Sequence, residues 1–464
     1  MKWFYRFLFL LSITALIALP PILAGYQNLA LANYTQNTAD ASRYYELAAK
    51  QLFWQPSLYE KAGLASLMSR NNSQHAIQLL TIARENGVLS PAGQIGLGDA
   101  YQAIDESDKA ISEWENLLSE NKEIPTASLR LAIAYHSAQN YEAEQRVLQK
   151  WLNADPTNPD ASERMGILKA ASASPDALAL LENAASSSPL SAARLEKLIT
   201  ALKTSSKESS YPLMLCGQAL AQMGEWILAE KAFSLAVENN PQYAIAWAWL
   251  GFAQQNNKSP AALQTLIKAI NLDAKSAPIR LFMGAYWQQA GKPQKAQFEF
   301  KKATELEPGN PAWWLALGGA QATDNLPEAL KSYTQAVNLE PQNPANWYAL
   351  ATFCVENNAF IEDYGLQAAL RAYALAPKNP LYMDMLGRAQ MAAGQWQAAE
   401  VMFNKALAAG DTLQTTSYHL HLGLLYLQTN RGAQAKYEFE NIVKSDPSSV
   451  IGRQAIKLLE RYFR

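Results

Sequence analysis

The chain has 464 residues, too many for one ordinary hydrophobic core, so several domains or a repeat array are expected. With 39 basic and 41 acidic side chains and a formal net charge of −2, it offers no basic face for nucleic acid. Two cysteines and four histidines leave little material for a redox, metal or acid–base centre.

The N-terminus reads MKWFYRFLFLLSITALIALPPILAG. Lys2 and Arg6 precede an apolar segment from Phe7 to Ala24, and the next charge after it is Asp40. This predicts a signal anchor or a signal peptide over residues 1–25. Pro20-Pro21 and the small Ala24 suit cleavage, whereas Trp3, Phe4 and Tyr5 suit an interfacial belt. Either way, positive charge before the segment places the rest of the chain outside the cytoplasm, membrane-anchored or released. Residues 26–40 read as a linker.

From residue 41 onward the pattern is periodic. Small residues at Gly217, Gly251, Gly284, Gly318, Ala351, Gly387 and Gly423 are spaced 34, 33, 34, 33, 36 and 36 apart. Each follows a larger apolar residue, and prolines at 241, 308, 341, 377 and 447 reset the chain. Within copies, Ala296, Phe300 and Ala303, or Ala399, Phe403 and Ala406, recur at helical offsets. Gly291 and Gly394 stand where one helix must stop. The expectation is a pair of antiparallel helices per copy, with stacking burying the apolar faces.

These residues resemble the tetratricopeptide-repeat (TPR) family. Trp247, Leu250 and Gly251 match its opening, as do Trp314, Leu317 and Gly318, then Trp347 with Leu350. Leu422, Gly423 and Tyr426 match further along, and Leu97, Gly98 and Tyr101 near the start. The resemblance implies an all-α, right-handed superhelical solenoid of antiparallel helix pairs, preceded by one N-terminal membrane or signal helix. Residues 41–202 form a degenerate array, in which Glu144 stands in the usual alanine place and Trp151 in another small place. The polar stretch 203–210 reads as a linker, 211–447 as seven repeats and 448–464 as a capping helix. Trp314 is expected in the core of its hairpin.

Candidate chemistry finds little support. Gly93, Gly96 and Gly98 lack the preceding strand of a phosphate loop. His419 and His421 are two apart on a helix and have no third ligand at helical spacing. Cys216 and Cys354 read as apolar core residues, and Asp384 with Arg388 as a helical ion pair. No catalytic, metal or cofactor site is expected.

The resemblance further implies a concave groove lined by first helices. The equivalent positions hold Met214, Gln218, Phe252, Gln255, Leu281 and Gln288, then Leu315, Tyr348, Thr352, Asp384, Arg388 and Met391. Arg388 is the one basic residue among them, so a carboxylate clamp is not supported. An apolar, aromatic and amide-rich surface suits an extended or helical protein segment. The reading is a non-catalytic, membrane-tethered protein-interaction scaffold for envelope assembly, secretion or polysaccharide export. The alternative is a glycan- or small-ligand-binding solenoid.

Overall fold

The computed structural model describes residues 19–69, 72–120, 124–204, 210–410 and 415–463. The described residues are helical and contain no strand. They divide into two compact units, Met1–Met223 and Gly224–Arg464.

The first unit holds α1 (19–34), α2 (Thr38–Gln51), α3 (Ser57–Leu67), α4 (Ser73–Glu85), α5 (Pro91–Gln102), α6 (Ser107–Glu120), α7 (Pro125–Ser137), α8 (Tyr141–Ala154), α9 (Pro159–Ala170), α10 (Pro175–Ala185), α11 (Pro189–Lys203) and α12 (Ser210–Gln222). The second holds α13 (Trp226–Asn239), α14 (Ala244–Asn256), α15 (Ala262–Leu272), α16 (Ala277–Gln289), α17 (Pro293–Leu306), α18 (Pro311–Gln321) and α19 (Leu326–Leu339). It continues with α20 (Pro344–Glu356), a π-helical turn (Ile361–Gly365), α21 (Leu366–Leu375), α22 (Pro380–Ala392), α23 (Trp396–Ala409), α24 (Thr415–Gln428), α25 (Gly432–Ser445) and α26 (Val450–Tyr462).

Sequence explains the boundaries. Asn-Pro pairs open α9, α18, α20 and α22. There the side chains of Asn158, Asn310, Asn343 and Asn379 accept a backbone N–H of the first turn, and proline, which has no N–H to satisfy, follows at once. At the other end, Pro241, Pro308, Pro341, Pro377 and Pro447 each stand just beyond a helix end. Most of the hairpin turns use a left-handed residue. Gly291 (φ +67°) and Gly394 (φ +73°) supply it as the sequence predicts, but Lys258, Asn358 and Asn430 do so elsewhere.

Packing within a hairpin rests on contact between a glycine and the large side chain of the partner helix. A Cβ added at Gly284, Gly387 or Gly423 would come within 3.0 Å of Phe300, Phe403 or Phe439. Those three phenylalanines are among the largest fully buried side chains. The second-helix ring also reaches the next first helix, as where Phe233 stacks on Trp249 and Tyr333 on Phe353, with centroids 5.7 and 4.8 Å apart. Each hairpin therefore buries its apolar face partly within itself and partly against its neighbour.

Several expectations need correction. In α18 the buried tryptophan is Trp313, while Trp314 is only half-buried. The tryptophans at the family's opening position instead reach back to the proline that resets the chain. The indole N–H groups of Trp247, Trp314 and Trp347 donate to the carbonyl oxygens of Pro241, Pro308 and Pro341, each at 2.9 Å. Residues 26–34, assigned to a linker, are helical, because Leu29 and Ala32 continue an apolar face that packs on α2 and α3. Of the membrane or signal segment, residues 7–18 lie outside the described residues. Among the described residues no helix is long and apolar enough to cross a membrane. Residues 205–209 of the polar linker also lie outside them. The C-terminal α26 packs on α25 and α24 with Ala455 buried.

One ion pair ties the last repeats together. Arg431 donates to both oxygens of Glu400 at 2.9 and 2.8 Å, and Tyr426 donates to the same carboxylate at 3.0 Å. Hydrogen bonding from Arg431 holds Glu400 below its ordinary value of 4.5, against the opposing effect of partial burial. A carboxylate with a depressed folded pKa adds stability above its unfolded pKa and loses it as pH falls through the folded value. The second unit should therefore lose urea resistance from about pH 4.5 downward, and Glu400→Gln should flatten that part of the profile. An unchanged acid limb in the variant would count against this pair.

Candidate functional site

In the second unit each first helix packs on the next first helix as well as on its own partner, from α14 on α16 through α22 on α24. Successive second helices do not reach one another to the same extent. The first helices therefore form the crowded side of the array, and their outward residues share one face.

The sequence-derived groove positions separate on that face. Met214 and Gln218 sit in α12 of the first unit, and the others belong to the second. Met214, Gln255 and Asp384 are buried, with exposures of 6%, 9% and 4%, and do not belong to an open lining. The same period that marks the inner positions also marks where the next first helix packs. Phe252 is half-buried in an aromatic cluster with Trp226, Trp249 and Phe282, at centroid distances of 5.6, 6.1 and 5.4 Å. Leu281 packs against Phe300 and Trp313, and Met391 against the core of α23 to α25. Leu315 and Arg388 are half-buried, as is Tyr348, which lies 5.6 Å from the Tyr382 ring. Gln288 is exposed.

The ion pair expected between Asp384 and Arg388 is not formed. Asp384 Oδ1 lies 2.7 Å from His421 Nδ1 on α24, and Arg388 lies 3.8 Å from Glu356 on α20. A carboxylate buried between helices is better satisfied by a neighbouring helix than along its own. His419 likewise faces Glu438 at 2.5 Å. Among the described residues no group of three or more His, Cys, Asp or Glu could hold a metal ion. Cys216 and Cys354 are buried thiols, each pushed up to about 12 by desolvation.

What the sequence reading missed is a set of unpaired polar atoms on the first helices. Gln255 Oε1, Thr352 Oγ1 and Gln390 Oε1 are buried and have no hydrogen-bond partner among the described residues. Such groups are costly to leave unmade. Gln390 was foreseeable only as one more amide in a glutamine-rich array.

The first unit holds a cavity of about 780 Å³ walled by α6, α7 and α8. Leu131, Val147 and Tyr135 line it with Glu115, Arg146 and Trp151. Tyr135 donates its hydroxyl to Glu115, and burial with that bond pushes its pKa well up. The indole nitrogen of Trp151 is buried and has no acceptor among the described residues. Trp151, which stands where other copies have a small residue, forms part of the wall of this space.

Three segments, 95–159, 288–344 and 385–450, match the model of the tetratricopeptide repeat. Over those segments the chain is similar to tetratricopeptide repeats. Among solved structures, yeast Tom70 is 17% identical, covering 96% of this chain and 95% of that one with a TM-score of 0.43. The Cut9–Hcn1 hetero-tetramer of the APC/C is 15% identical, covering 95% of each chain with a TM-score of 0.43. A tetratricopeptide repeat protein from Parabacteroides merdae ATCC 43184 is 14% identical, covering 54% of this chain and 98% of that one with a TM-score of 0.42. No curated protein matches the chain. Proteins built of tetratricopeptide repeats are generally protein-interaction scaffolds.

Proposed function

We propose that this chain is a membrane-tethered, non-catalytic scaffold that holds an apolar segment of a partner protein along the first helices of its second unit, outside the cytoplasm. The observation that carries the reading is the series of half-buried rings on the first helices, with an exposed amide beside them. Phe252, Tyr348 and their neighbours offer apolar contact. Gln288, exposed on α16, offers an amide for hydrogen bonding. An extended or helical segment supplies both apolar side chains and backbone polar groups. The uncharged stretch Phe7–Ala24 behind Lys2 and Arg6 supports the tether and the orientation. An envelope assembly, secretion or polysaccharide export process would use such a scaffold.

A photo-crosslinking residue placed at Gln288, exposed on α16, should capture a discrete protein from the native envelope. The same residue at Phe298, exposed on the second helix α17, should not. Equal capture at both sites, or none at either, would exclude this face as the binding surface.

The cavity beside Trp151 favours a second reading, a small-ligand or glycan site, because its size is that of a ligand pocket and the aromatic side chains of Tyr135 and Trp151 line it. Binding on a glycan or metabolite panel that disappears in Trp151→Phe, with the fold retained, would support it.

A further inference from the structure

The most exposed aromatic pair in the described residues lies in the turn between α2 and α3. Phe53 is 80% exposed and Trp54 44% exposed. Their rings meet edge to face with centroids 5.0 Å apart, so the pair forms a single apolar knob. Nothing in the repeat packing requires it there, since Leu52 beside it already fills the core.

The position of this knob follows from how α1 lies on α2. Tyr45 donates to Asn33 at 2.7 Å, and Asn28 donates to Gln51 at 2.9 Å. Gly25 faces Leu52, and Ile22 packs in the same cluster. The two helices thus run antiparallel, and the chain leaving α2 travels toward the beginning of α1. Phe53 and Trp54 sit at the end of the unit where residues 19–25 lie. On α1 itself, Gly25 and Ala32 are buried, while Leu19, Leu23 and Tyr26 repeat at helical spacing along the flank of that packed face, with exposures of 50%, 56% and 48%. That flank and the knob meet at one end of the first unit. The chain entering this end carries no charge back to Arg6.

We infer that this end of the first unit is a lipid-facing surface, with Phe53 and Trp54 seated in the headgroup layer beside the point where the tether leaves the bilayer. The inference rests on the tether proposed above. Aromatic side chains are favoured at that depth, because their rings are apolar and an indole N–H keeps a polar partner. An amphipathic helix with Leu and Tyr on its exposed flank lies at the same boundary. A second contact of this kind would fix the inclination of the first unit, which a single tether alone leaves free to swing.

The full-length protein, reconstituted into phosphatidylethanolamine–phosphatidylglycerol vesicles, tests this. An environment-sensitive fluorophore is attached in Phe53→Cys and, as control, in Phe298→Cys. The two native thiols are buried and raised to about 12, so they do not compete for the label. The expected result is blue-shifted emission at position 53, quenched by brominated lipid, with position 298 unaffected. Flotation with the vesicles while the label at 53 stays in water would overturn the inference and leave the tether standing. Failure to float at all would overturn both.

Discussion

Gly284→Ala should destabilise the second unit by about 1–3 kcal/mol, yet the same change should be harmless or stabilising once Phe300 has been cut to alanine. The added Cβ would come within 3.0 Å of the Phe300 ring, whose side chain is 2% exposed and has no room to retreat. With the ring gone, the clash goes with it, and what remains is the helix preference of alanine over glycine, about 1 kcal/mol in favour of the substitution. Phe300→Ala alone should cost about 3–5 kcal/mol, because it leaves a cavity bounded by α16, α17 and α18. Repeat arrays need not unfold in one step, so hydrogen exchange of α16 and α17 in the full chain is the suitable readout. The sign reversal is the decisive part. If Gly284→Ala costs the same in both backgrounds, a glycine recurs at this place in the repeat for some reason other than the ring above it.

That glycine was legible in the sequence, and the reason is physical. A residue that must be small recurs at a fixed period, so several copies report the same constraint. Prolines at helix ends were legible on the same ground. Trp313 and Trp314 were not told apart, because the family pattern gives the position of the tryptophan but not which of two adjacent rings the neighbouring helix will cover. Of the left-handed turn residues, Asn358 and Asn430 are of a type that favours this conformation, whereas Lys258 carries no signature, since a hairpin can force the conformation on a residue that does not favour it. The candidate site was the least legible. Inner positions serve packing in one copy and remain half-open in the next, and periodicity alone does not separate Asp384, which is buried against His421, from Gln288, which is exposed. Partners drawn from different helices, such as Arg388 with Glu356, belong to space and leave no spacing in the chain.

Glu144 makes the same point through a buried carboxylate. It occupies the place that Ala110, Ala229, Ala296, Ala399 and Ala435 fill elsewhere, all fully buried. Sequence pattern alone would therefore expect Glu144→Ala to restore the family residue and raise stability. The structure predicts the opposite. The Glu144 side chain is 1% exposed, lies 2.8 Å from His136 Nδ1 on its own hairpin, and lies 3.6 Å from Arg164 Nε on α9 of the next. Arg164 Nε has no hydrogen bond, so this carboxylate is the charge it relies on. Removing the carboxylate leaves His136 and Arg164, each about a quarter exposed, without their partner and costs about 1–3 kcal/mol. Glu144→Ala should therefore destabilise the first unit by that order, whereas Glu144→Gln, which keeps the shape and an acceptor, should cost less. Hydrogen exchange in α7, α8 and α9 separates the outcomes. A more protected α8 in Glu144→Ala would mean that packing of the small residue outweighs the ionic contact, and that this hairpin departs from its neighbours in sequence but not in energetics.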